Sequence, residues 1–235
     1  MSDSQLVEEL EKAFREAVAL DAPLNERMKV IADRVRALSD VFADAVDRMV
    51  DRLQAQAAGA AAPKPGEMLP SFLLPDETGR LRALVEFLGE GPVAVSFVRG
   101  HWCPYCRLNA VGLAEIEDEA SSLDAKIVVI APERRRFNAA LKSEAGAGFP
   151  ILSDMDNGYA LSLNLAIWVG AEMERLIDSA GWHVPHYQGN GAWIMPVPAT
   201  FVLDREGVIV TRSLDPDYRR RMEIDDLLAA IRRAR

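Results

Sequence analysis

An apolar, β-rich run, Pro92-Val93-Ala94-Val95-Ser96-Phe97-Val98, is followed after only Arg99-Gly100-His101 by Trp102-Cys103-Pro104-Tyr105-Cys106. A continuous apolar run of this length predicts a strand buried on both faces. Pro104 suits the first turn of a helix, where its missing N–H costs little. Strand, tight connector and helix start therefore succeed one another within fifteen residues, and few folds accommodate that. Cys103 and Cys106 are the only cysteines of the chain. Three residues is close to one helical turn, so both sulfurs share a helix face and their Cα atoms fall within disulfide range. A helix N-terminus stabilises a thiolate, which makes the pair a candidate redox centre.

With 235 residues and 49% hydrophobic content, the chain has enough apolar surface for one sizeable α/β domain and an accessory piece. A formal charge of −9 and a pI near 5.0 argue against nucleic acid as a general partner, because little neutralises phosphate. Arg134-Arg135-Arg136 and Arg219-Arg220-Arg221 are local exceptions, both expected to be solvated faces. Met1-Ser2-Asp3-Ser4 lacks the apolar core of a signal peptide, and no stretch approaches a membrane span. A cytoplasmic location is expected. There a close cysteine pair is catalytic or metal-binding rather than a structural staple.

Leu24, Met28, Ile31, Val35, Leu38, Phe42, Ala45 and Met49 step by alternating fours and threes, a heptad seam along one helix. Leu6, Leu10, Ala13, Ala17 and Leu20 repeat the period on a shorter helix, and Asp21-Ala22-Pro23 breaks between them. Residues 1–58 thus form a helical extension whose apolar seam must be covered, with a homodimer contact as the leading expectation. Ala57 to Gly66 is a low-complexity linker, and residues 65–235 form the main domain. Further strands are expected at 72–74, 126–130, 200–203 and 208–211, the last two as a hairpin about Asp204-Arg205-Glu206-Gly207. Helices are expected at 81–88, from the cysteines to about 120, at 134–145, near 157–178 and at 224–232. The order argues an α/β architecture with a mixed central sheet covered on both faces.

That order, with its WCxxC motif after a buried strand, resembles the thioredoxin fold. Residues 66–235 look like the alkyl hydroperoxide reductase/thiol-specific antioxidant family in its peroxiredoxin-like branch. The resemblance is carried by Gly66 to Asp76 with Gly79, Phe97 to Cys106, Pro150-Ile151-Leu152-Ser153-Asp154, Pro196 to Gly207 and Asp215-Pro216-Asp217-Tyr218. It implies a thiol-dependent oxidoreductase that needs no dissociable cofactor. Its electrons would come from thioredoxin or glutathione, and its substrate would be a disulfide or a hydroperoxide. The family pattern Pro-x-x-x-Thr-x-x-Cys aligns with Arg99, Cys103 and Cys106, and the family arginine before the Thr-Phe strand falls on Pro198. The threonine and arginine that would polarise a peroxide are therefore absent from their usual places, although Arg99 offers a guanidinium nearby. Val197-Pro198 resembles the loop whose proline is cis and faces the cysteines in thioredoxin-like proteins. Pro104-Tyr105 is similar to the dipeptide of glutaredoxins. The buried acid of thioredoxin would fall near Ser96 and is missing.

A free thiol has a pKa near 8.5, and lowering it to about 7 makes half of it thiolate at neutral pH. The helix dipole, with Arg99, His101 and Arg107 nearby, favours Cys103 as nucleophile and Cys106 as resolving thiol in disulfide exchange. A peroxidase reading reverses the order, with Cys106 becoming the sulfenic acid and Cys103 condensing with it. A third reading takes the two thiols with His101, or with His183 and His186, as a copper or zinc site, against a plainer reading of each histidine as a surface residue. Trp102, Pro104, Tyr105 and Pro198 are expected to line the site, and Trp182, Tyr187 and Trp193 to pack as an aromatic cluster or wall it as a lid. Deleting residues 1–56 is expected to change the oligomeric mass while leaving thiol reactivity in place.

Overall fold

A computed structural model describes residues 3–235, with the side chains from Val7 onward. The Met1–Ser4 reading and the Leu6 seam position lie outside the described side chains. Helix α1 (Asp3–Ala19) and helix α2 (Leu24–Leu38) flank the expected break. The long seam helix is broken once more. Ser39 takes an extended conformation and caps helix α3 (Asp40–Ala55) by accepting the Phe42 N–H. A single serine that satisfies one orphan donor was enough to end a helix whose apolar period runs straight through it.

Strand β1 (Leu73–Pro75) pairs antiparallel with β2 (Leu81–Ala83), so the helix expected from Leu81 starts later, as α4 (Leu84–Leu88). Strand β3 (Val93–Phe97) leads to α5 (Pro104–Glu115), which turns at Ile116 into α6 (Glu117–Ser122). Then follow β4 (Lys126–Ala131), α7 (Arg135–Ala145) and β5 (Ile151–Ser153). The helix expected over 157–178 is instead α8 (Gly158–Ser162), strand β6 (Ala166–Trp168) and α9 (Ala171–Ser179). The chain closes with α10 (Val184–Gln188), β7 (Ile194–Pro196), β8 (Ala199–Leu203), β9 (Ile209–Leu214) and α11 (Ile224–Arg233).

The central sheet has the order β5-β4-β3-β8-β9, with β3 parallel to β4 and antiparallel to β8. It is mixed and has core on both faces. Ala94, Val98, Ile127, Val129 and Val202 face one core with α5, whereas Val93, Val95, Phe97, Val128, Ile130 and Phe201 face the other with Phe72 and Phe87. Alternate residues of each strand serve opposite cores, which is why β3 and β4 read as unbroken apolar runs.

The heptad seam is covered within the chain. Leu24, Met28 and Ile31 are buried in the same core as Leu108 and Leu113 of α5. Helices α1 and α2 pack on each other and on α5, and α3 packs on α9. Gly112 lets these layers meet, since a Cβ there would lie 3.2 Å from Ile224 Cδ1 and 3.4 Å from Leu24 Cδ1. The domain's own helices therefore bury Leu24, Met28, Ile31, Ala45 and Met49 of the seam, while Val35, Leu38 and Phe42 stay half-buried. Among the described residues no helix is long and apolar enough to cross a membrane.

Candidate active site

Register places the site at the carboxyl end of β3. Phe97 pairs with Ile130 of β4 and with Ala199 of β8, so the chain leaves the sheet between the ends of those two strands. Gly100 then takes φ +137°, and the Cys103 N–H closes a turn onto the Gly100 carbonyl at 3.2 Å. Cys103 is the N-cap of α5 and Pro104 its first residue, as the sequence leads one to expect. The Cys103 carbonyl accepts from the N–H groups of Cys106 and Arg107, at 3.0 and 3.1 Å. Both thiols are unoxidised and lie in the first turn.

Neither sulfur is accessible: Cys103 and Cys106 are each 0% exposed. Trp102, Tyr105 and Tyr218 around the turn are themselves buried. Arg99 is also buried and touches both thiols. Its Nη2 donates to Cys103 Sγ at 3.1 Å, and its backbone N–H donates to Cys106 Sγ at 3.2 Å. Its guanidinium lies 3.5 Å over the Tyr218 ring and 5.1 Å from that of Trp102. Where the family arginine is missing ahead of β8, a guanidinium thus arrives from the end of the neighbouring strand β3.

A second guanidinium arrives from far along the chain. Arg221 Nη2 stands 3.6 Å from Cys106 Sγ, and its Nη1 is held by the carbonyls of Tyr218 and Arg220. Arg221 is 9% exposed, so the solvated-face reading of its cluster fails at this position. It holds for Arg134, Arg135 and Arg136, all of them exposed. Among the described residues neither Arg99 nor Arg221 makes an ion pair with a carboxylate. Buried cations without carboxylates require another counter-charge, and the sulfurs are the groups in reach.

The two thiols respond in opposite directions. Burial alone would raise Cys103, but the hydrogen bond from the Cys106 thiol and the charges of Arg99 and Arg221 outweigh it and hold Cys103 well below the ordinary thiol value. Burial and the adjacent Cys103 thiolate push Cys106 well above its own. Together these shifts favour a thiolate at Cys103 over one at Cys106.

His101 does not turn to the thiols. Its Nε2 pairs with Glu144 Oε2 at 2.9 Å, while His183 pairs with Asp178 and His186 with Arg136. The described residues contain no group of three or more His, Cys, Asp or Glu side chains placed to hold a metal ion. The geometry therefore gives the copper or zinc reading no ligand set. Tyr105 packs edge-on against Tyr218, with centroids 5.4 Å apart, and bonds to neither sulfur. Trp102 meets Trp182 at 6.3 Å, whereas Tyr187 packs on Phe137 at 4.5 Å.

Pro198 directly precedes Ala199 and therefore sits beside Val98 at the mouth of the site. The expected cis bond is absent, since every described peptide bond is trans. Pro198 here opens β8 just ahead of its first laddered residue, where a fixed extended φ and a missing N–H cost little.

Tyr218, Arg221 and Glu133 are the functional candidates that sequence reasoning missed. Tyr218 did lie in one of the segments that carried the family resemblance, and Arg221 was visible only as part of a charge run.

The sequence profile of the AhpC/TSA family matches residues 65–212. A Mycobacterium tuberculosis protein provisionally named a peroxiredoxin is 31% identical over 91 residues, 39% of this chain and 59% of that relative. Another from the same organism is 29% identical over 147 residues, 62% of this chain and 82% of the relative. Among solved structures, the peroxidoxin BcpB of M. tuberculosis superimposes with a TM-score of 0.56 at 24% identity, covering 73% of this chain and 98% of its own. Reduced Prx3 of Vibrio vulnificus, solved with hydrogen peroxide, gives 0.56 at 18% identity, with 72% and 99% covered. The architecture is thus the peroxiredoxin variant of the thioredoxin-like fold, and the chain belongs to the AhpC/TSA family.

Proposed function

We propose that this protein is a thiol-dependent oxidoreductase in which Cys103 and Cys106 cycle between dithiol and disulfide, with a small hydroperoxide as oxidant. The observation that carries it is the complete enclosure of a thiolate–thiol pair beneath two guanidinia. An enclosed polar site of this kind suits a small oxidant, whereas a protein disulfide would have to displace Trp102 or Tyr218 to reach sulfur. Arg221, 3.6 Å from Cys106 Sγ, also lines a groove between α2 and the 213–221 segment together with Asn25, Lys29, Leu214 and Arg220.

In the first step the Cys103 thiolate attacks the O–O bond. One oxygen leaves as alkoxide, takes up a proton and departs as alcohol, and Cys103 becomes a sulfenic acid. The two guanidinia face the charge as it moves from sulfur to oxygen. Cys106 then attacks the sulfenic sulfur, water leaves, and the Cys103–Cys106 bond forms. Two equivalents of an external thiol, of the thioredoxin or glutathione class, restore the dithiol and leave as disulfide.

Exchange with a protein disulfide is the second reading. It is favoured by the N-cap position of Cys103 ahead of Pro104, where a mixed disulfide would form and Cys106 would resolve it. Comparison of Cys103→Ser with Cys106→Ser tests both readings. Sulfenic acid trapped at Cys103 in Cys106→Ser, with peroxide consumption lost in Cys103→Ser, supports the proposal. Rapid peroxide reaction retained in Cys103→Ser makes Cys106 the attacking sulfur. Mixed disulfides without any peroxide reaction make exchange the function.

A further inference from the structure

Glu133 is a buried carboxyl that the steps above do not use. It follows β4, is 1% exposed, and makes no ion pair among the described residues. Its Oε2 accepts the His101 N–H at 2.7 Å, so it holds the peptide group two residues before Cys103. Its Oε1 is buried without any partner. Gly100 is required for this approach, because a Cβ there would lie 2.3 Å from the Glu133 carboxyl carbon. A carboxylate in this position would be a lone buried anion beside the Cys103 thiolate. A neutral carboxyl has neither the desolvation cost nor the repulsion.

The redox chemistry changes that balance. Resting on the dithiol–disulfide cycle proposed above, the overall oxidation is thiolate plus thiol plus hydroperoxide plus one proton, giving disulfide, alcohol and water. One proton must be supplied, and one buried negative charge disappears from beneath Arg99 and Arg221. We propose that Glu133 is the proton partner of the Cys103–Cys106 couple, holding a proton while Cys103 is a thiolate and releasing it as the disulfide forms. The buried negative charge then moves from sulfur to carboxylate instead of vanishing. Desolvation is the main force that keeps the proton on, pushing Glu133 up to about 8, with the Cys103 charge adding to it and the His101 N–H opposing. The other titratable or charged groups around it are His101, whose ring is turned to Glu144, Tyr187 of α10, and Arg134, Arg135 and Asp156, which line one groove with it. Glu133 acts here as a positioning and proton-holding residue, since it does not touch either sulfur.

Proton counting against glutathione buffers tests this. Oxidation of the wild type releases two protons, one from Cys106 and one from Glu133, and reduction of glutathione disulfide takes up two. The equilibrium constant is therefore expected to be flat between about pH 6.5 and 7.5. Glu133→Gln keeps an oxygen acceptor for the loop but cannot titrate, so the constant is expected to fall tenfold per pH unit, one proton's worth. An equally flat profile in Glu133→Gln, or a tenfold slope already in the wild type, overturns the inference and reduces Glu133 to a loop anchor. If Glu133→Gln does not fold, the infrared difference between reduced and oxidised wild type decides: loss of a protonated-carboxyl band on oxidation supports the inference, and its persistence overturns it. Failure of the disulfide to form at all would count against the proposed cycle itself, an outcome distinct from either slope.

Discussion

The Arg221 guanidinium lies 3.6 Å from the Cys106 sulfur across 115 residues of sequence, and the backbone of the same arginine is held by Asn25 of the N-terminal extension. The Arg221 N–H donates to Asn25 Oδ1 at 2.9 Å, and Asn25 Nδ2 returns a bond to the Arg221 carbonyl at 2.9 Å. Glu223 completes the latch by accepting the Leu24 and Asn25 N–H groups, a carboxylate placed on the first turn of α2. The extension is thereby tied to the thiol turn through one arginine.

That tie reverses the expectation that residues 1–56 can be removed without loss of thiol reactivity. Deletion uncovers the α5 face that Leu24, Met28 and Ile31 bury and removes the anchor of Arg221. The truncated chain is expected to aggregate or unfold. Asn25→Ala is the milder variant, costing about 1–2 kcal/mol in urea unfolding and slowing disulfide formation.

Arg99→Met should release the hold on Cys103. With burial retained and the guanidinium gone, the thiol moves back up. Titration of the thiolate by its ultraviolet absorbance, which needs no reagent to enter the closed site, reads the shift directly. Arg99→Lys is expected to rescue only part of it, because an ammonium lacks the planar fork.

Glu144 ties His101 to Arg107 on the surface beside the thiol turn. Partial burial raises its pKa, but the His101 and Arg107 hydrogen bonds and charges prevail and bring it down to about 2. Its folded-state pKa is therefore below the unfolded one, so its stabilisation is present above about pH 4.5 and is lost as pH falls toward 2. Urea unfolding of Glu144→Gln should show a flatter acid limb than the wild type.

Glu133 runs the other way. Its folded-state pKa of about 8 exceeds the unfolded value, so the folded chain holds the extra proton and the reduced protein loses stability as pH rises from about 4.5 to 8. Unfolding midpoints of the reduced wild type and of Glu133→Gln should converge at the acid end of that range and separate toward the alkaline end, with Gln the more stable there.

Arg27 is 4% exposed and bonds Glu115 at 2.7 and 2.9 Å, the Ala17 carbonyl at 3.0 Å and the Val18 carbonyl at 3.4 Å. It pins α1 and α2 to the end of α5. Glu115→Gln leaves a buried cation without its anion and should cost about 2 kcal/mol, a value moderated by the half-exposed carboxylate. The double variant Arg27→Met with Glu115→Gln should recover much of that loss in the same unfolding measurement.

What the sequence determined by itself is what short-range periodicity and local chemistry decide. An apolar run buried on both faces made β3, and Pro104 one residue past Cys103 set the helix start that puts both sulfurs in one turn. The segments from Gly66 to Tyr218 marked the family. The same locality explains the failures. Ser39 ended a helix through one side-chain bond that the heptad period does not register, and β6 is a three-residue strand whose pairing with β7 lies nearly thirty residues away. Only the tertiary structure decided which distant groups reach the thiols. Tyr218 and Arg221 come from the segment after β9 and Glu133 from the end of β4, and their burial around the thiol turn depends on packing among α2, α5 and those strand ends. Charge in a sequence carries no record of what faces it: Arg135 and Arg221 read alike in the chain, yet one is solvated and the other is sealed against Cys106.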